Sequence, residues 1–342
     1  MLPIPPPGWG AVEKAIFELS RALPTVGVET EIVNVPGSGR SIDEYRFALR
    51  LRGLLRGRTW DILHASTPVV ANRLSSMKWP YVYTSHSRHW SGANGPTERW
   101  GFFLERRAVR RAVRTIALTA AVAEKMRSGP LRDHPETLMV VPNGVDTRAY
   151  TPAWEQRNGN RILGVGAVHP RKRWHVATRA IQGLPETRLT IVGPIQDPGY
   201  ARTLRRSLPD GRLELLGEVP EDTLRSLYSV ADEFVLPSRS ELMSMAVIEA
   251  MASGVPIIGT DALTGTVESG TEGYLWKNVP EGEEVGEAQR ILELLLGDPG
   301  LRRRLGEAAR AKAVRDWDWS VIARRMRELY GSIPPQARTR KP

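Results

Sequence analysis

Glu233-Phe-Val-Leu-Pro-Ser-Arg-Ser-Glu241-Leu-Met-Ser-Met-Ala-Val-Ile-Glu249-Ala-Met-Ala-Ser-Gly254-Val-Pro-Ile-Ile-Gly-Thr260 reads as a strand, a turn, a helix and a second strand in immediate succession. Glu233–Leu236 is a short, mostly apolar strand. The Met, Ala, Ile and Glu residues after the turn favour helix. Gly254 stops that helix, and Val255–Gly259 is apolar again. Glu241 therefore falls at a strand-to-helix turn, and Glu249 falls about two turns later, roughly 12 Å along the axis if every step is helical. The start of such a helix offers backbone N–H groups and a positive dipole end, a seat for a diphosphate. Two surface glutamates on a solvated helix would show the same spacing, so the flanking chain has to decide.

The same alternation extends outward in both directions. Strands are expected at Arg161–Val165, Leu189–Val192 and Leu213–Leu216, and in the first half at Val28–Val35, Asp61–Ala65, Tyr81–Ser85, Thr115–Thr119 and Leu138–Val141. Strands alternating with helices predict an α/β chain with mostly parallel sheets covered on both faces. Ligands of such sheets bind at the carboxyl ends of strands. Pro152 and Asn158-Gly159-Asn160 mark 148–160 as a linker between a domain at 1–147 and another at 161–318. Residues 283–313 read as helix, broken near Gly297-Asp-Pro-Gly300. A last helix is expected at 319–331, followed by a tail at 332–342. Only Met1–Ile4 precede Pro5-Pro-Pro, too few for a strand of about five or six residues. The sequence thus predicts a chain that starts inside its first strand.

At 342 residues, 41% of them hydrophobic, the chain can build two domains with cores of their own. It has no cysteine, which excludes disulfides and thiolate metal sites. No apolar run approaches the 18 residues of a membrane-spanning helix, and Met1–Gly8 lacks the basic and apolar regions of a signal peptide. The expectation is a cytoplasmic protein that can also rest on the inner face of a membrane. The net charge of +10 favours anionic partners: nucleotides, nucleic acid or acidic lipid.

The paired glutamates in their setting, Pro-Ser-Arg-Ser-Glu241, seven residues, then Glu249-Ala-Met-Ala-Ser-Gly254, resemble the signature of the retaining glycosyltransferases of family four, the group 1 glycosyltransferases, which have the GT-B fold. The resemblance covers nearly the whole chain. It implies two Rossmann-like doubly wound parallel-sheet domains facing a cleft, the N-terminal one binding acceptor and the C-terminal one binding nucleotide sugar. The final helix would cross back to the first domain. Carried over, Glu249 holds the ribose and Glu241 contacts hydroxyls of the donor sugar. Backbone N–H groups of Met243, Ser244 and Met245 lie near the diphosphate. The family usually has Gly-Phe-Gly where this chain has Leu242-Met243-Ser244. Glycine lets a backbone approach a ligand closely, so its loss leaves the donor sugar open.

Other segments fit the same resemblance. In Gly164-Val-Gly166-Ala-Val-His-Pro-Arg171-Lys172-Arg173, Lys172 falls on the family's diphosphate-binding lysine. Ala167 stands where the family has an arginine, and Arg171 or Arg173 are the residues that could replace its charge. Gly10 and Glu13 match a Gly-Gly-x-Glu loop at a helix start, with Ala11 in place of the second glycine. Thr84-Ser-His86 matches a Thr-x-His element whose histidine lies beside the anomeric carbon. His64 and His89 are weaker candidates. Val141-Pro-Asn-Gly144-Val-Asp146 matches the element that ends the first domain, and Thr266 in Gly265-Thr-Val belongs to a loop near the donor. Asp316-Trp-Asp318 mimics a metal-binding Asp-x-Asp, but no strand precedes it, so Asp318 reads as a helix cap.

The implied reaction is transfer of a hexose from a UDP- or GDP-linked donor with retention, no cofactor and no metal. His86, Lys172 and Glu241 form the catalytic group. Gly10, Arg171, Arg173, Met243, Ser244, Met245, Glu249 and Thr266 bind the donor. Two basic amphipathic stretches, 40–58 and 98–114, suit either solvated helices or an anionic membrane surface carrying a lipid-linked acceptor, at about 1 kcal/mol per basic residue. The alternatives are a nucleotide-sugar epimerase or an inactive homologue of the same fold, and a basic nucleic-acid-binding protein, for which no binding motif is visible.

Overall fold

The computed structural model describes residues 10–33, 41–86, 96–184, 186–208, 211–277 and 282–334. The chain divides into two compact units. One joins Met1–Gly144 to Trp319–Pro342, and the other is Val145–Asp318.

The first unit contains α1 (Ala11–Ala22), α2 (Ser41–Leu54), β1 (His64–Ala65), α3 (Pro68–Ser76), β2 (Val82–Ser85), α4 (Pro96–Arg111), β3 (Arg114–Ala117), α5 (Ala120–Arg127), β4 (Leu138–Val140) and, last in the chain, α12 (Trp319–Gly331). Its sheet is parallel in the order β1-β2-β3-β4. Val82, Tyr83, Ile116 and Ala117 of the sheet are buried, as are Ala71, Ala108, Val109 and Met126 of the helices around it. Two of the strands hand over to helices by the same device: Thr67 after β1 and Thr119 after β3 accept from the N–H three residues on, which satisfies an otherwise orphaned donor. α12 packs on α1 and the turn at 23–26.

Two expectations for this unit differ from the structure. Residues 28–33 form no strand: they find no neighbouring strand among the described residues, and the Thr30 hydroxyl donates to the Ser20 carbonyl. The basic stretch expected over 98–114 does not stay helical to its end: α4 stops at Arg111 and Arg114 opens β3, where it donates to the Ser332 carbonyl at 3.1 Å.

The second unit contains β5 (Arg161–Val165), α6 (Trp174–Ala180), β6 (Arg188–Val192), α7 (Pro198–Ser207), β7 (Leu213–Gly217), α8 (Glu221–Val230), β8 (Glu233–Leu236), α9 (Met245–Ala252), β9 (Ile257–Thr260), β10 (Gly273–Trp276), α10 (Glu283–Gly297) and α11 (Pro299–Lys312). Its sheet is parallel in the order β10-β9-β8-β5-β6-β7. The chain builds outward from β5 to β6 and β7, then returns to β5's other side and builds outward again through β8, β9 and β10. The order therefore reverses between β5 and β8, a topological switch point where such sheets open a ligand crevice.

Local sequence explains how that centre packs. Trp174 is fully buried and lies over Gly164, where any Cβ would sit 2.6 Å from its ring. Gly254 takes φ +66° after α9, as the helix stop requires. Gly273–Trp276, not among the strands expected from sequence, forms edge strand β10 against β9. Asp298 caps α11 through the Leu301 N–H at 2.8 Å, which accounts for the break between α10 and α11. Asp316 is held by Arg315 and Asp318 accepts from the Thr147 hydroxyl at 2.5 Å, so neither carboxylate stands as a bare ligand. Among the described residues no helix is long and apolar enough to cross a membrane.

Candidate functional site

At the carboxyl end of β5, the turn Pro170–Lys172 follows His169, whose Nδ1 accepts from the Arg171 N–H at 3.2 Å. Arg173 then takes a left-handed conformation, φ 59°, before α6. That reversal separates three consecutive cations. Arg171 is exposed. Lys172 reaches Glu241, beyond the carboxyl end of β8, with Nζ 2.5 Å from Oε1, and both side chains are only 12–13% exposed. Arg173 turns inward, where it is buried and ion-paired with the fully buried Glu284 of α10. Arg239, from the same loop as Glu241, also reaches Glu284, at 3.2 Å. The switch between β5 and β8 thus gathers Lys172, Arg173 and Arg239 against Glu241 and Glu284, leaving an excess of positive charge. Such a cluster can hold an anion without moving its cations far.

Ser244 precedes α9 and its hydroxyl makes no cap bond; its carbonyl accepts from the Val247 and Ile248 N–H groups at 3.1 and 3.2 Å, so the first-turn N–H groups that Ser244 does not take are those of Met245 and Ala246. Met243, Ser244 and Met245 are all buried. The helix begins only at Met245, so about 6 Å of the path from Glu241 to Glu249 is helical rise, and the rest is turn. Glu249 is 3% exposed and accepts from the Tyr228 hydroxyl of α8 at 3.1 Å. Tyr228 stands edge-on to Tyr150, which donates to Glu221 at 2.6 Å. Burial and the neighbouring glutamates push both phenols well above the usual tyrosine range, so they stay donors. Thr266 is buried in the turn after β9.

In the first unit, Gly10 opens α1 with the Glu13 carboxylate close by; a Cβ at Gly10 would sit 2.9 Å from it. His86 follows β2 directly, and burial lowers its pKa to about 4. His64, on β1, is held at about 4 by burial and by the charge of His86. Its Nδ1 lies 2.7 Å from the Tyr330 hydroxyl and its Nε2 lies 2.7 Å from that of Thr84. His89 is outside the described residues.

Sequence reasoning passed over Arg239, Glu284 and Tyr228. Arg239 stood in the quoted motif and offered a signal. Glu284 and Tyr228 lie in separate helices, and only the fold brings them to the cations and to Glu249.

Residues 12–149 match the family model described as Glycosyltransferase Family 4, and residues 159–296 match that described as Glycosyl transferases group 1. The chain is similar to the MMP alpha-(1->4)-mannosyltransferase of Mycolicibacterium hassiacum, 28% identical over 83% of this chain and 74% of that protein. It is 29% identical to the GDP-mannose-dependent monoacylated alpha-(1-6)-phosphatidylinositol monomannoside mannosyltransferase of Corynebacterium glutamicum, over 59% of this chain and 58% of that one. Among solved structures, the sucrose-phosphate synthase of Thermosynechococcus elongatus superposes with a TM-score of 0.77 at 19% identity, over 94% of this chain and 93% of that chain. Anabaena Alr3699/HepE, solved with UDP and glucose, superposes with a TM-score of 0.75 at 19% identity, over 94% and 96%. These likenesses establish a GT-B fold.

Proposed function

This chain belongs to the group 1 glycosyltransferases, family four, and we propose that it moves a hexose from a UDP- or GDP-linked donor to an acceptor with retention at the anomeric carbon. The observation that carries this reading is the Lys172–Glu241 contact at the switch between β5 and β8. On this reading the donor diphosphate takes Lys172 away from Glu241, and the released carboxylate accepts from hydroxyls of the sugar. Lys172 and the first-turn N–H groups of α9 then face the charge that develops on the leaving phosphate, a preorganised stabilisation that asks for no metal. Glu249, steadied by Tyr228, takes the ribose hydroxyls. The leaving phosphate helps deprotonate the acceptor, so no side-chain base is assigned. His86, neutral at physiological pH, positions and stabilises at the anomeric carbon. Nuclear magnetic resonance of the product tests the stereochemistry. An α-linked product from an α-linked donor is expected; a β-linked product overturns retention, and donor conversion without acceptor would point to the epimerase reading. The family match does not favour a nucleic-acid-binding protein.

We assign the acceptor to an anionic membrane surface. Trp100 and Phe103 of α4 stack at 5.4 Å and are 57% and 53% exposed, beside exposed Arg99, Arg107, Arg110 and Arg111. On α2, Tyr45 and Leu49 are exposed beside Arg46 and Arg50. Aromatic rings among arginines suit a headgroup layer of negative charge. Sedimentation with phosphatidylglycerol vesicles should exceed that with phosphatidylcholine vesicles severalfold, and a Trp100→Ala/Phe103→Ala variant should lose most of it. Equal binding of the two vesicle types would refute the assignment.

A further inference from the structure

A hydrogen-bonded line in the first unit joins parts of the chain far apart in sequence. His64 and Tyr330 are separated by 266 positions, yet their side chains meet at 2.7 Å with the rings edge-on, 5.9 Å between centroids. The other ring nitrogen of His64 meets Thr84 on the neighbouring strand. A neutral imidazole has one N–H and one lone pair. With a hydroxyl on each side, either tautomer is satisfied, one hydroxyl accepting and the other donating. Among the described residues the titratable and polar groups that face His64 are Tyr330 from α12, Thr84 from β2 and His86 just beyond that strand. Thr84 and His86 are two residues apart, and extended chain sends such residues to one face.

We propose that His64 is a positioning residue for sugar transfer: it binds α12, through Tyr330, and β2, through Thr84, into one line that fixes the strand end carrying His86. The inference rests on the role assigned to His86 above. His64 does not touch the donor; it keeps the imidazole of His86 in register. A displacement of about 1 Å at a reacting group can lower turnover 10²-fold, so a polar brace under His86 has something to protect. It also means that the last turn of α12 has a function beyond covering α1.

The test compares Thr84→Val, His64→Gln, Tyr330→Phe and His86→Ala. Turnover is followed as nucleotide release from UDP-glucose and GDP-mannose, folding by circular dichroism, and histidine titration by nuclear magnetic resonance. Thr84→Val and His64→Gln are expected to lower kcat about tenfold with donor KM unchanged. In Thr84→Val and Tyr330→Phe, the His86 titration should climb from about 4 toward the ordinary histidine range as the line loosens. If His64→Gln does not fold, the two near-isosteric variants carry the comparison. Unchanged kcat and unchanged His86 titration in Thr84→Val and Tyr330→Phe, with His86→Ala inactive, would overturn the inference and leave the functional reading standing. A His86→Ala variant with full turnover would overturn the functional reading itself.

Discussion

In the unit of residues 145–318, the side chains of the site are charged and paired: Lys172 with Glu241, and Arg173 and Arg239 with Glu284. In the other unit they are neutral and hydrogen-bonded: Tyr330, His64 and Thr84 in line, with His86 held uncharged by burial. The two sheets have similar construction, parallel strands with helical crossovers, so the difference is not one of architecture. The proposed chemistry offers a reason for it. A diphosphate carries charge that needs fixed cations, and paired cations can change partner without being carried in from water. An acceptor hydroxyl carries little charge, and the anomeric carbon gains positive charge in the transition state, which a neutral imidazole tolerates and an imidazolium would repel.

The sharpest break between the units should appear on removing charge. Lys172→Ala is expected to lower kcat 10²- to 10³-fold, about 3–4 kcal/mol of lost transition-state stabilisation, with circular dichroism unchanged. A rise in KM alone would show that Lys172 only binds donor.

The second contrast is in pH. His64 and His86 have folded pKa values near 4, below the unfolded value near 6.5. Between those values the unfolded chain binds more protons, so their contribution to stability is full above about pH 6.5 and is lost as pH falls toward 4. The loss from pH 7 to 5 is about 2 kcal/mol for each imidazole. Glu233 on β8 behaves oppositely. It is fully buried, neither oxygen has a hydrogen-bond partner among the described residues, and burial raises its pKa well above the carboxylate range. There the folded chain binds more protons, so stability falls as pH rises past the unfolded value near 4.3. Hydrogen exchange at pH 5 and pH 7, read separately for the two units, should show the first loosening on acidification and the second holding or tightening. Parallel responses would remove the contrast.

Glu233 also offers the smallest and most local prediction. Glu233→Gln abolishes the ionisation while keeping the shape. It should raise stability at pH 7 by about 1–2 kcal/mol, with the gain shrinking toward pH 5. Thermal melts at both pH values check it, and an equal effect at both would mean that Glu233 is ionised in the folded chain.

Much of this was readable from residues alone because its determinants are local. The β8 strand appeared at Glu233–Leu236 as expected, since Phe-Val-Leu between polar residues leaves few other choices. The break between α10 and α11 followed from Gly297-Asp-Pro-Gly300, and Gly254 stopped α9 as a glycine with positive φ does. The misreadings came where partners decide. Val28–Val35 has the alternation of a strand, but its residues 28–33 find no strand to pair with among the described residues, and 34–35 lie outside them. Gly273–Trp276 was not expected as a strand because four residues after a Gly- and Thr-rich turn carry little periodicity, and only β9 makes them one. The cations of 171–173 were visible, but not their sorting into one exposed, one poised and one buried. That sorting depends on the left-handed Arg173 and on Glu284, which no spacing connects to it.

Calorimetric titration of UDP and GDP into the wild-type chain, Lys172→Ala and Glu249→Ala, in metal-free buffer at two salt concentrations, tests the placement of the donor most directly. One nucleotide is expected to bind selectively and each substitution to weaken it at least tenfold, Lys172→Ala with the greater loss of salt dependence. Wild-type affinity in both variants, or no binding of either nucleotide to the wild-type chain, would contradict a donor site at the switch between β5 and β8.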